Sequence, residues 1–217
     1  MKLLPYLLFV LGLTSTMSAF AQKDAKAKGL LDKTSVTLKN SGGISATYII
    51  RINDDINNVN QSFEGQMFLK GTKYFFETPE QAVYFDGKTQ WIHKKPYEEV
   101  DITEPNQQEI RASNPISIFD LYKADYDYKY LGEKTDVQKR KVHEISLLPK
   151  DKKEEIKQVI LQINPNDFMP FFFHLTFKNG LEFRIFINKY QTKLTLPDSQ
   201  FFFDKSKYPN VYVNDLR

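Results

Sequence analysis

Three histidines and a few close carboxylate pairs are the residues of this chain best suited to proton transfer or metal binding. His93, His143 and His174 lie in separate extended segments without ligand spacing, so each reads better as a locally hydrogen-bonded or exposed strand residue. Glu98-Glu99 and Asp125-x-Asp127 have the residue types of a glycosidase acid and base, and they leave a secreted glycoside hydrolase as the enzymatic alternative. Lys139-Arg140-Lys141, with Lys134 nearby, could attract phosphate or lipid headgroups, and fits a solvated turn equally well. The absence of cysteine removes disulfides, thiolate metal sites and thiol nucleophiles. No G-x-S-x-G elbow, H-E-x-x-H helix, phosphate-binding glycine loop or dinucleotide fingerprint occurs. The expectation is a protein that is not an enzyme, with no catalytic residues, no metal site and no cofactor.

The elements that would carry these residues must fit in 217 positions, enough for one domain. Apolar residues make up 41% and charged residues 26%, a globular balance that argues against wholesale disorder. Aromatics are abundant, with 18 Phe, 12 Tyr and 1 Trp. The chain begins as an export signal does. Lys2 precedes an apolar run over residues 3–13, and Ala19-Phe20-Ala21 offers a small-x-small cleavage site before Gln22. Residues 1–21 are therefore expected to be a removed signal peptide, and 22–217 a single exported domain. No other run approaches the ~18 apolar residues of a spanning helix. Without Lys2 the net charge of +3 falls to about +2, too balanced to suggest nucleic-acid binding.

Residues 23–38 read as one amphipathic helix, with Ala27, Leu31, Ser35 and Leu38 on a narrow shared face, ended by Asn40-Ser41-Gly42-Gly43. From Ile44 the apolar period changes to two, as in a half-buried strand. Further strands are predicted over 59–70, 73–78, 83–85, 89–93, 97–103, 126–132, 141–148, 156–163, 171–177 and 181–188. Short ones follow at 192–196 and 201–203. Asp86-Gly87 and Asn179-Gly180 are two-residue hairpin signals. Asn114-Pro115 suits the cap and first position of a short second helix. Connections this short favour antiparallel order.

Phe171-Phe172-Phe173 and Phe201-Phe202-Phe203 break the alternation, presenting aromatics to both faces of a strand. About a dozen strands in one sheet must curl, and two short helices would cover the concave face only lightly. An apolar hollow under a light lid suits acyl chains, each buried methylene contributing about 0.8 kcal/mol. Dense charge on both faces of strands such as 141–144 opposes a membrane barrel.

The chain resembles the LolA family of periplasmic lipoprotein carriers. The resemblance rests on Asp86-Gly87-Lys88-Thr89-Gln90-Trp91, Asn114-Pro115, Phe201-x-Phe203 and the tail Tyr208-Pro209-Asn210-Val211-x-Val213-x-Asp215-x-Arg217. It implies a mainly β (α+β) fold, in which a curved antiparallel sheet forms an unclosed β-barrel with a helical lid over an apolar cavity. It also implies a monomeric periplasmic chaperone that takes acylated lipoproteins from an inner-membrane lipoprotein-releasing ABC transporter to an outer-membrane acceptor. A same-fold lipid-binding or envelope-stress regulatory protein is the related alternative. The family's K-R-P segment, whose Arg latches the lid, is replaced by Lys70-Gly71-Thr72, so either Lys70 substitutes or the lid is held differently. Asn210 stands where the tail usually has Gly. Expected lipid-binding residues are Leu31 and Leu38 on the first helix and Ile116, Phe119 and Leu121 on the second. Phe75, Trp91, Phe172, Phe183 and Ile185 are expected to join them from the strands.

Overall fold

A computed structural model describes residues 24–107, 109–110 and 114–217; the expected signal segment lies outside the described residues. Helix α1, Ala25–Asn40, starts where the Asp24 carboxylate accepts the backbone N–H groups of Lys26 and Ala27. It ends at Ser41, after which Gly42 takes the left-handed backbone (φ +63°) that glycine adopts without steric cost. The buried stripe is Ala27, Leu30, Leu31 and Thr34.

The strands run β1 Gly43–Asp54, β2 Val59–Lys70, β3 Lys73–Glu77, β4 Gln81–Phe85, β5 Gln90–Lys94 and β6 Glu99–Thr103. Asn114 then accepts the Ile116 N–H, a 3-10 turn covers Pro115–Ser117, and α2 follows as Ile118–Asp125. Beyond it come β7 Tyr126–Thr135, β8 Lys141–Pro149, β9 Ile156–Ile163, β10 Pro170–Phe177, β11 Glu182–Leu194 and β12 Tyr212–Asp215. Both expected hairpin glycines, Gly87 and Gly180, have positive φ.

All twelve strands form one sheet in the order β12-β6-β5-β4-β3-β2-β1-β11-β10-β9-β8-β7. Every pairing is antiparallel except β12 with β6, so the sheet is an unclosed barrel with β7 and β12 at its edges. Strand twist curls so wide a sheet. Both helices sit in the concavity as a lid, and their buried side chains join those of the inner sheet face in one core.

Three local expectations change. The strands predicted at 181–188 and 192–196 are one long strand, β11. Phe201 closes a 3-10 turn over Asp198–Phe201 instead of lying in a strand. The tail supplies β12, because the chain after Leu194 crosses the convex face and returns beside β6. There Phe201, fully buried, packs with Phe75 and Ala82, flanked by Phe68, Tyr84 and Leu196. This C-terminal strap makes the sheet apolar on both faces over β3–β5.

Candidate functional site

The strand register places Ile44, Ala46, Tyr48, Ile50 and Ile52 of β1 on the concave face, opposite Ile187, Ile185 and Phe183 of β11. Across β2 the same face continues through Leu69, Met67 and Phe63 to Tyr74 and Phe76 of β3, Val83 and Phe85 of β4, and Ile92 of β5.

Burial divides this floor in two. At the end where β1 begins, beneath α1, Ile44, Ala46, Met67, Leu69, Tyr74, Phe85 and Ile187 are all buried. Toward the opposite end Ile50, Ile52, Phe63, Phe76, Ile92, Phe183 and Ile185 are only half-buried, although Val83 between Phe76 and Ile92 is buried. The apolar floor therefore opens at one end of the barrel. Beyond Ile92 it turns polar, where Lys94 pairs with Glu99 at 2.9 Å and Asp101 at 2.7 Å. Tyr48 crosses the floor so that its hydroxyl donates to the Glu77 carbonyl at 3.1 Å. Gly65 permits this, since a Cβ there would lie 2.5 Å from the tyrosine ring.

Asp32 of α1 fastens the lid. Its carboxylate accepts from Lys123 of α2 at 2.8 Å, from Lys28, and from the Tyr122 hydroxyl. These three bonds, Lys123 and Lys28 foremost, hold its pKa well below the usual carboxylate range. Lys39 and Asp120 add a second, exposed link between the helices at 2.9 Å. At the other end of α1, Asp24 accepts the Tyr130 N–H of the edge strand β7 at 2.9 Å. Lys70 takes no part. It reaches the Leu196 carbonyl and Asp198 of the C-terminal strap, so the lid is held without a counterpart of the family's arginine.

The helices fill the concavity closely. Beneath α2, Ser117, Ile118, Tyr126, Ile156, Val159, Phe173 and Leu175 enclose about 10 Å³, room for roughly one water molecule. A ligand pocket commonly measures about 300–1,000 Å³, so an acyl chain enters under α2 only if the lid moves.

Of the ten side chains expected to bind lipid, six lie on the concave side. Leu31 and Phe119 are buried in the lid–sheet core, while Leu38, Ile116, Phe183 and Ile185 are half-buried against it. Leu121 is half-buried outside that cluster, because α2 turns Ile118, Phe119 and Tyr122 to the sheet. Phe75, Trp91 and Phe172 face the convex side, which corrects their placement in the hollow. Phe75 packs on Phe201, the Trp91 ring lies 5.7 Å from that of Phe202, and the Phe172 ring lies 4.8 Å from that of Phe186. Strand alternation decides all three, since Tyr74, Ile92 and Phe173 next to them take the inner face. Ile50, Ile52, Phe63, Phe76 and Ile92 are floor residues that sequence reasoning did not nominate. The period-two pattern from Ile44 already marked the β1 pair.

The residues with potential acid–base chemistry do not converge. His93 is buried under the strap, 4.5 Å from the Tyr208 ring and 5.3 Å from that of Phe203; burial, then Lys95, depresses its pKa. His143 meets the Tyr130 hydroxyl at 3.0 Å, and His174 lies 3.2 Å from Glu182 on the convex face. Glu99 is engaged by Lys94, and Asp127 is exposed. Among the described residues no group of three or more His, Asp or Glu could hold a metal ion.

These features define a mainly β protein, an open barrel with α1 and α2 as its lid among the described residues. Residues 17–179 match the family described as outer membrane lipoprotein carrier protein LolA, and the chain belongs to that family. No curated protein matches it in sequence. Among solved structures it is similar to an uncharacterized conserved protein from Thermus thermophilus, with 12% identity over 87% of this chain and 98% of the other and a TM-score of 0.57. A putative outer membrane lipoprotein-sorting protein domain from Vibrio parahaemolyticus aligns at 9% identity over 81% and 96%, with a TM-score of 0.47. The Pseudomonas aeruginosa MucA/MucB complex aligns at 13% identity over 83% and 62%, with a TM-score of 0.41.

Proposed function

We propose that this protein is an exported, periplasmic, monomeric chaperone that shields the acyl chains of lipoproteins between the inner and outer membranes. The observation that carries this reading is the apolar floor, half-exposed at one barrel end and otherwise roofed by helices tied through a few polar bonds. Each methylene transferred from water contributes about 0.8 kcal/mol, so two or three acyl chains outweigh the few kcal/mol that fasten the lid. Uptake requires no directional chemistry and no cofactor, in keeping with a binding protein. On this reading Phe183, Ile185, Leu38, Ile116 and Phe119 contact the chains, and an inner-membrane ABC transporter and an outer-membrane acceptor are the partners at either end.

The test is to purify the protein from its own periplasm and identify bound material by mass spectrometry, alongside rescue of a strain depleted of its lipoprotein carrier. Acylated peptide with rescue supports the proposal. Free phospholipid without rescue favours a same-fold lipid binder, and consistent absence of any acylated species rejects carriage.

A further inference from the structure

The convex face has a pocket of its own. A register irregularity between Pro170 and Phe172 of β10 allows two successive aromatics, Phe171 and Phe172, to line it together. Phe186 of β11 and Gln162 of β9 complete the floor, and the β7–β8 turn supplies the lip through Val137 and Arg140. The pocket holds about 140 Å³, close to the roughly 150 Å³ of an apolar cavity that accepts a benzene ring. Val137 at its lip is 83% exposed and so is open to a ligand.

The charged groups around it have a preferred sign. Arg140 lies 3.9 Å from the Phe171 ring, and its Nε donates to the almost fully buried Asp136 at 2.6 Å, which fixes the guanidinium plane. Its terminal nitrogens form no hydrogen bond with the described residues, leaving the outer edge of a held guanidinium at the pocket. Arg51 lies over Phe186 at 5.2 Å, and neither it nor Lys139 of the same turn as Arg140 forms an ion pair among the described residues. Of the nearby carboxylates, Asp136 is paired with Arg140, whereas Glu144 accepts from the neutral Gln162 amide and keeps its charge; Arg51 and Lys139 outnumber it and leave the surroundings net positive.

We propose that this pocket is a docking site for an acidic peptide segment of a partner protein, one that seats a single bulky apolar side chain against the paired rings of Phe172 and Phe186, beside Phe171. A neighbouring carboxylate then pairs with Arg140. The one-ring volume favours a side chain over an acyl chain. The site lies across the sheet from the lid, so it is independent of acyl binding.

The test titrates isotope-labelled protein with heptapeptides carrying Phe, Leu or Trp between two Asp residues, read by chemical-shift changes at Phe171, Phe172 and Phe186. Saturable shifts are expected, weakened at least about tenfold when Asp in the peptide becomes Asn or its apolar residue becomes Ala. Val137→Asp, which places a like charge on an exposed lip, weakens binding to a similar extent while leaving the melting temperature and fatty-acid uptake unchanged. Arg140→Lys weakens it by loss of the planar fork. Absence of shifts with every peptide at millimolar concentration overturns the proposal, as does unchanged binding by Val137→Asp. Phosphatidylglycerol vesicles binding in place of peptides, with loss on the same substitution, assigns the pocket to lipid headgroups and overturns it equally.

Discussion

The Tyr122 hydroxyl on α2 donates to the Asp32 carboxylate on α1, tying together two lid helices that lie 90 residues apart in the chain. Lys123, one position on, binds the same carboxylate, so a single side chain gathers the charge of both helices. The contact can open without exposing an unsatisfied buried ion, because the Asp32 side chain is already one-third exposed.

Replacing Tyr122 with Phe keeps the ring in the core and removes only this bond. A hydrogen bond to a charged group contributes about 1.5–3 kcal/mol, discounted here to about 1 kcal/mol for solvent screening. The expected outcome is a melting temperature lower by about 2–4 °C, with faster amide exchange confined to α1 and α2. Unchanged exchange in the helices would show that the bond does not fasten the lid.

Ile185 and Leu161 test where floor ends and core begins. Ile185→Glu puts a carboxylate on a half-buried surface that water reaches, so the protein is expected to stay folded and lose retention of a fluorescent fatty acid. Leu161 is fully buried, and a carboxylate there costs several kcal/mol, so Leu161→Glu is expected not to fold. Circular dichroism and probe binding together distinguish the two outcomes.

The strap is expected to be part of the folding unit. Phe201 is fully buried against Phe75 and Ala82, and truncating a core Phe to Ala typically costs about 3–5 kcal/mol. Urea unfolding of Phe201→Ala is expected to show that loss. A change under about 1 kcal/mol would mean that the strap is laid on a sheet already complete.

Acidification is expected to destabilise the fold through His93 under the strap and His143 beside β7. Burial, then the Lys95 charge, lowers the His93 pKa in the fold, and burial, then Lys26, lowers that of His143. The unfolded chain then binds protons before the folded one as pH falls through about 6.5, so stability is full above that pH and declines below it. The aspartates with depressed pKa values, such as Asp24 and Asp198, contribute at all these pH values and lose their share only near and below about pH 4. The melting temperature is expected to hold near pH 7–8 and fall as pH drops below about 6.5, with a shallower fall in His93→Phe. Identical pH profiles for the two proteins would remove His93 from this role.

Much of the architecture was legible in the sequence because it is written in local terms. The switch from helical spacing to period two at Ile44, the Asp86-Gly87 and Asn179-Gly180 turns, and the Asn114-Pro115 cap each depend on a few neighbouring residues. They were enough to specify helices α1 and α2 and the antiparallel part of the sheet, though not the tail strand β12 that pairs parallel with β6. The face taken by an aromatic residue was harder to read, because shifting a strand by one position exchanges its two faces. Phe75, Trp91 and Phe172 were apolar enough for the hollow, and only the register of the assembled sheet, which turns Tyr74, Ile92 and Phe173 inward, put them outside it. The lid fastening was invisible for a different reason. Asp32 and Tyr122 are unremarkable where they stand in the chain, and their bond exists because the curled sheet brings distant helices to one place. Local spacing sets the type of most segments, whereas contacts across the fold decide the Phe201 turn, the tail strand and which face of each strand lines the hollow.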